Sequence, residues 1–276
     1  MMSGSTSISS GFELPHDFGK VLPIENAAER FGEAMEVARQ SAEAGVAIEA
    51  APDHAAIFTD PPQLVAGPLK SVGYDLGWDT RCYPSPVDGC DYINVSARLD
   101  PRSPAYQQGW FRYVAVVHPV DEAASEQMLS QGYGNPFLHH LTLGVVPPER
   151  NGDDEFSYGG RVVRFMADAR RRMADVIGDE PGTLIAALPS EVVGDARFAE
   201  ESPRWVEGLS GSEFQFQVMQ GGGYLIQYFV LTGGRIEVAM RSGTCQTFNP
   251  LSVDKISRDE ISTVQDDGGG NADPLM

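Results

Sequence analysis

Cysteine is scarce. The 276 residues hold three, Cys82, Cys90 and Cys245, too few and too scattered for a disulfide framework or a thiolate metal site. One bridge between Cys82 and Cys90 is open to the sequence, and three ordinary thiols in a reducing cytoplasm are the simpler expectation. Positive charge is scarce as well: 20 Lys and Arg stand against 39 Asp and Glu, a formal charge of −19. So acidic a surface repels phosphate backbones and anionic lipid, which argues against nucleic acid and membrane as partners. No stretch approaches the roughly 18 consecutive apolar residues of a membrane span. The opening segment MMSGSTSISSGFELPH has no basic n-region and no apolar h-region, so no secretory signal is expected and the cytoplasm is the expected location. Residues 1–11 and 261–276 are rich in Ser, Gly or Asp and carry little to bury, which predicts flexible tails.

What is present is a globular composition. Hydrophobic residues make up 42% and charged residues 21%, enough for a sizeable core. Three helices are legible. AAERFGEAMEVARQSAEAG follows Asn26 and repeats apolar residues at three- and four-residue steps, with Gly45 as a stop. EAASEQMLSQG follows Asp121 as N-cap. RVVRFMADARRRMADVIG aligns Val162, Phe165, Met166, Ala169, Met173, Val176 and Ile177 in one stripe, and its Arg170-Arg171-Arg172 run reads as a solvated face.

Strands are read at 92–99, 111–118, 138–145, 183–188, 213–219, 223–231 and 235–240. The last two flank Gly233-Gly234, a hairpin signal. The order strand (12–22), helix, short strand (45–50), Pro/Gly-rich stretch and two strands ending at His118 recurs after residue 137. This predicts a first module at 12–118, a linker helix at 119–136 and a second module at 137–260.

Alternation along a strand sorts side chains by face. In LHHLTLGV, His139, Leu141, Leu143 and Val145 share one face and His140, Thr142 and Gly144 the other. In the closing pair, Leu225, Gln227, Phe229, Leu231, Ile236, Val238 and Met240 oppose Tyr224, Ile226, Tyr228, Val230, Arg235, Glu237, Ala239 and Arg241. Polar faces made of Gln, Thr, Tyr and His with a single Glu suit a shielded, partly polar cavity.

HHLTLGV and RIEVAM resemble the opening and closing strands of a vicinal oxygen chelate module (glyoxalase, bleomycin resistance, extradiol dioxygenase). PHDFGKVLPIENAAERF is similar to a histidine-led strand running into that module's helix. The resemblance implies an α+β fold in which two βαβββ modules form a cupped mixed sheet with helices on the outer face. It also implies one divalent metal held by opening-strand histidines and closing-strand glutamates.

Carried over by position, the implied ligands are His16, His140 and Glu237. The first module's closing strand RYVAVVH has no glutamate, so His118 is an alternative ligand. His54 in PDHAAIFTD, also histidine-led, is another, although no convincing helix follows it. Two imidazoles and a carboxylate are the usual set for non-haem Fe(II), while Zn, Mn or Ni also suit it. Tyr228 shares the face of Glu237 and is a candidate acid–base group, and Arg241 is a candidate clamp for a substrate carboxylate.

The implied activity is a metal-dependent oxygenase acting on a small oxygen-rich metabolite, catechol-like or a 2-oxo acid. Non-oxidative isomerase, epimerase or lyase chemistry and metal-free small-molecule binding are the alternatives. The expected partner is a small-molecule substrate, with monomer and homodimer both open.

Overall fold

The computed structural model describes residues 21–22, 24, 27–84, 91–108, 110–130, 134–177, 182–219, 223–232, 234–242 and 255–256. The expected flexible tails and residues 12–20 of the strand expected at 12–22 lie outside them, and Val21 and Leu22, which are described, are not strand. The chain divides into two compact units. One comprises Met1–Val146, Arg172–Gly182 and Phe229–Ala239; the other comprises Pro147–Arg171, Thr183–Tyr228 and Met240–Met276. The linker expected at 119–136 is not where they part, because the strand that follows it pairs along its length with a strand of the first unit.

The first unit opens with α1 (Ala27–Glu43), whose buried residues Phe31, Ala34, Val37, Ala38 and Ser41 recur at helical spacing. β1 (Ile48–Phe58) follows, then α2 (Gln63–Ser71), β2 (Tyr74–Pro84), β3 (Asp91–Leu99), the short α3 (Pro104–Gln107) and β4 (Tyr113–Pro119). α4 (Glu122–Leu129) is capped by Asp121, whose carboxylate accepts from the Ala124 amide at 2.8 Å. β5 (Phe137–Val145) completes this stretch.

The strand order is β9–β5–β1–β4–β3–β2, where β9 is Gly234–Ser242. β1 and β5 pair antiparallel in the middle. Each has a parallel neighbour on its other side, β4 beside β1 and β9 beside β5. β1 tolerates Pro52 because its pairing to β4 begins only at Ala55, so the missing N–H removes no bond from that ladder.

The second unit shares α5 (Glu155–Ile177) with the first and holds β6 (Leu184–Pro189), α6 (Ser190–Val193), α7 (Phe198–Trp205), β7 (Phe214–Met219), most of β8 (Tyr224–Thr232) and β10 (Lys255–Ile256). Its strands run β10–β7–β6–β8, with β6 parallel to β7 and antiparallel to β8. Phe156, Phe198, Trp205, Phe214 and Phe216 form its aromatic core. The stripe read on α5 is buried at Val162, Met166, Ala169 and Met173, but Val176 is exposed near the helix end. Arg170, expected on a solvated face, is buried and pairs with Glu213.

The fold is α+β, built on mixed sheet with helices. The order βαβββ occurs twice, as β1–α2–β2–β3–β4 with the short α3 inserted after β3, and as β5–α5–β6–β8–β9 with α6, α7 and β7 inserted after β6. The first copy therefore opens at β1, with α2 as its helix. α1, expected to be that helix, precedes the copy. No described helix is long and apolar enough to cross a membrane.

Candidate metal centre

The register of three strands builds the site. His54 on β1 pairs with Thr142 on β5, and Thr142 pairs with Glu237 on β9. Residues paired across a ladder share a face, so these three side chains stand in a row. His140, two residues before Thr142, projects from the same face and pairs with Ala56. All four lie in the first unit.

The resulting group is compact and dry. Glu237 is 4% exposed, His54 5% and His140 9%. His140 Nε2 lies 3.2 Å from Glu237 Oε2, and His54 Nε2 lies 3.8 Å from the same oxygen. One donor atom from each of the three residues falls within 4.8 Å of the others. Thr142 Oγ1 donates to Glu237 Oε2 at 2.6 Å and lies 3.1 Å from His54 Nε2.

Neighbouring groups orient the rings. His54 Nδ1 lies 2.7 Å from Asp53 Oδ2, so an Nδ1–H donated there leaves the Nε2 lone pair facing Glu237. The His54 ring meets Tyr113 edge-on at 5.2 Å between centroids. Tyr113 Oη accepts from Asn94 Nδ2 at 3.2 Å and lies 3.3 Å from Ser96 Oγ. Beyond His140 the same face becomes apolar, with Ala56, Phe58, Ala115, Val117, Met128 and Phe137 packed together.

The donor set suits a divalent transition metal. Bonds of about 2.1 Å at right angles place neighbouring donor atoms about 3 Å apart. The His140–Glu237 separation of 3.2 Å already meets this, and the His54–Glu237 separation of 3.8 Å needs a small contraction. A three-donor set on one side of a cation leaves its other positions for exogenous ligands.

Of the residues singled out in the sequence, His140 and Glu237 are brought together. His16 lies outside the described residues, and the second imidazole of the group comes from His54. His118 is elsewhere, with Nδ1 3.8 Å from Asp60 Oδ1, beside a cavity of about 480 Å³ lined also by Asp121, Glu122 and Ser125. Tyr228 belongs to the second unit and is fully buried. Burial pushes its hydroxyl far above the ordinary phenol range, against the pull of Arg170, so at neutral pH it is a hydrogen donor and not a base. Arg241 lies on β9, four residues beyond Glu237, and its side chain is outside the described residues.

Two residues escaped the sequence reading. Thr142 was on the correct face but carried no motif. His139, expected on the apolar face as a hydrogen-bonded core or rim histidine, is buried and hydrogen-bonded but on the other side, with its Nδ1 2.7 Å from His140 Nδ1. The reason is a bulge: β5 pairs His140 with Ala56 but Leu138 with Ile57, leaving His139 as the extra residue.

No family model matches the chain, and no curated protein matches it. Among solved structures it is similar to a triple mutant of 4-hydroxymandelate synthase from Streptomyces coelicolor, with 14% identity and a TM-score of 0.39, over 71% of this chain and 49% of that one. It is also similar to a xylose isomerase-like TIM barrel/4-hydroxyphenylpyruvate dioxygenase fusion protein, with 12% identity and a TM-score of 0.36, over 72% of this chain and 27% of that one. The chain thus spans about half the length of the first and about a quarter of the second. The repeated βαβββ order is the module order that the sequence resemblance implies.

Proposed function

We propose that the chain is a metal-dependent oxygenase of the vicinal oxygen chelate type. His54, His140 and Glu237 would hold one divalent cation, Fe(II) in the first place, and the substrate is a small oxygen-rich metabolite, catechol-like or a 2-oxo acid. The observation that carries this reading is the convergence of two imidazoles and one carboxylate, from three different strands, in a group less than a tenth exposed. A buried carboxylate is costly unless it is compensated, and a divalent cation compensates it while using the imidazole lone pairs. When bound, Fe(II) supplies Lewis acidity and one-electron chemistry toward dioxygen.

The chain's own residues prepare that position. Asp53 sets the His54 tautomer, and the Thr142 hydroxyl steadies one oxygen of Glu237. Ala56 and Ala115, with their small side chains, continue the same face.

The test is metal analysis of protein purified without chelators, followed by oxygen uptake with a catechol and with a 2-oxo acid. One iron per chain and oxygen uptake that requires it are expected. Full turnover under argon with zinc moves the reaction to the non-oxidative class. Failure to bind either Fe(II) or Zn(II) overturns the metal reading and leaves a metal-free binding protein.

A further inference from the structure

We infer that His139 is a positioning residue for the metal centre: it fixes the hydrogen of His140 on Nδ1 and so presents the His140 Nε2 lone pair to a cation. This rests on the metal reading above and adds to it a residue outside the donor set. In a regular strand, consecutive side chains point to opposite faces. The extra residue in β5 cancels that rule at this one place, between the pairs Ala56–His140 and Ile57–Leu138. The consequences are visible on both sides of the bulge. Phe137 returns to the site face and stacks on Phe58 at 4.9 Å, and the His139 ring meets the His140 ring edge-on at 5.0 Å between centroids.

The chemistry follows from counting hydrogens. Two imidazole nitrogens 2.7 Å apart hold one hydrogen between them, since two would clash and none would leave two lone pairs opposed. A neutral imidazole carries a single N–H. If His140 uses Nε2 for a cation, its hydrogen is on Nδ1 and is donated to His139 Nδ1. The hydrogen of His139 then sits on its own Nε2. His139 is 3% exposed, so water does not readily take over as acceptor. Asp53 does for His54 what His139 does for His140, and the two donor rings are thereby oriented by different chemistries, a carboxylate and an imidazole. Groups in this position typically change metal affinity about 10–100-fold.

The experiment measures Zn(II) affinity by chelator competition, with the Co(II) absorption spectrum as a second readout, for wild type, His139→Asn, His139→Phe and His139→Leu. The amide oxygen of His139→Asn can accept the His140 hydrogen; the phenyl and isobutyl groups cannot. Expected are a loss of about 10–100-fold in the Phe and Leu variants with a shifted Co(II) spectrum, and recovery to within a few-fold in the Asn variant. Phe and Leu variants binding Zn(II) as tightly as wild type overturn the inference while leaving the metal reading intact. Wild type failing to bind Zn(II) removes the metal reading, and this inference with it. Should the apolar variants not fold, imidazole ¹⁵N spectra of zinc-loaded wild type decide the matter. A hydrogen on His140 Nδ1 supports the assignment, and a hydrogen on His139 Nδ1 overturns it.

Discussion

His54 and His140 are exchanged by a two-fold relation between β1 and β5: the pairs His54–Thr142 and Ala56–His140 lie on either side of Ala55–Leu141. The repeated βαβββ order thus ends in a repeated position, one imidazole from each opening strand. The relation extends to the closing strands. Thr142 pairs with Glu237 on β9, and its equivalent Ala56 pairs with Ala115 on β4. The donor set is therefore a symmetric arrangement with one carboxylate position left as alanine.

Replacing His54, His140 or Glu237 with Ala should each lower Fe(II) and Zn(II) affinity by roughly 100-fold or more, beyond what loss of an orienting group does. His118→Ala should leave affinity unchanged, because that ring is beside Asp60. Isothermal titration on the four variants checks both halves. Equal losses in His118→Ala and His54→Ala would mean that the register has misassigned the second imidazole.

Ala115→Glu tests the symmetry itself. A carboxylate introduced there projects from the face that carries the donors, in a position only 6% exposed. Without metal, the buried charge should destabilise the protein by about 1–3 kcal/mol. With Zn(II), stability should recover, since a ligand bound only by the native state stabilises it. Oxygen-dependent turnover should fall about tenfold or more, because a fourth protein donor takes a position otherwise left to exogenous ligands. Thermal melts with and without Zn(II), together with oxygen uptake, give the answer.

What was legible in the sequence followed from clean periodicity. The α1 stripe, the Asp121 cap and the alternation from His140 to Val145 needed no tertiary information. His140 and Glu237 are legible together because both stand on the less apolar face of well-alternating strands. β1 was hidden by the opposite circumstance: Pro52 interrupts it, and its pairing to β5 shifts register at three places. With β1 read as a short strand, His54 had no setting. α2 was hidden because its nine residues include Gly67 and Pro68 and bury only Val65 and Leu69, too few for a stripe. The bulge at His139 has no local signature at all, since it is defined by which residues of β1 it faces.

The Arg170–Glu213 pair predicts an acid-sensitive second unit. The Ser210 amide donates to Glu213 Oε2 at 2.6 Å and Arg170 donates to Oε1 at 2.8 Å. These bonds, Ser210 foremost, hold the Glu213 carboxyl below its ordinary range against the opposing effect of burial. A depressed acid contributes stability that is fully present above its unfolded value of about 4.3 and is lost as pH falls through the folded value. Glu213→Gln should cost about 1–2 kcal/mol at neutral pH, the pair being partly solvated on the Glu side. It should also flatten the loss of stability below about pH 4.5. Denaturant melts of metal-free protein from pH 7 to acid check this; an unchanged acid slope in the variant would assign the sensitivity to other carboxylates.

Two glycine replacements inside helices should act in opposite directions. Gly32 is on the exposed side of α1, and a Cβ placed there meets nothing within 4 Å. Gly32→Ala should stabilise by about 0.5–1 kcal/mol through helix propensity and a less flexible unfolded chain. Gly160 on α5 would place its Cβ 2.6 Å from Trp205 Cε2. That ring is 2% exposed and wedged between Phe156 and Phe198, with centroids at 5.0 and 5.6 Å. It has no room to retreat, so Gly160→Ala should destabilise by about 1–3 kcal/mol despite the same propensity gain. Chemical denaturation followed by Trp fluorescence separates the two cases. A stabilised Gly160→Ala would require the α5–α7 contact to be looser than the packing of Trp205 on the Gly160 backbone indicates.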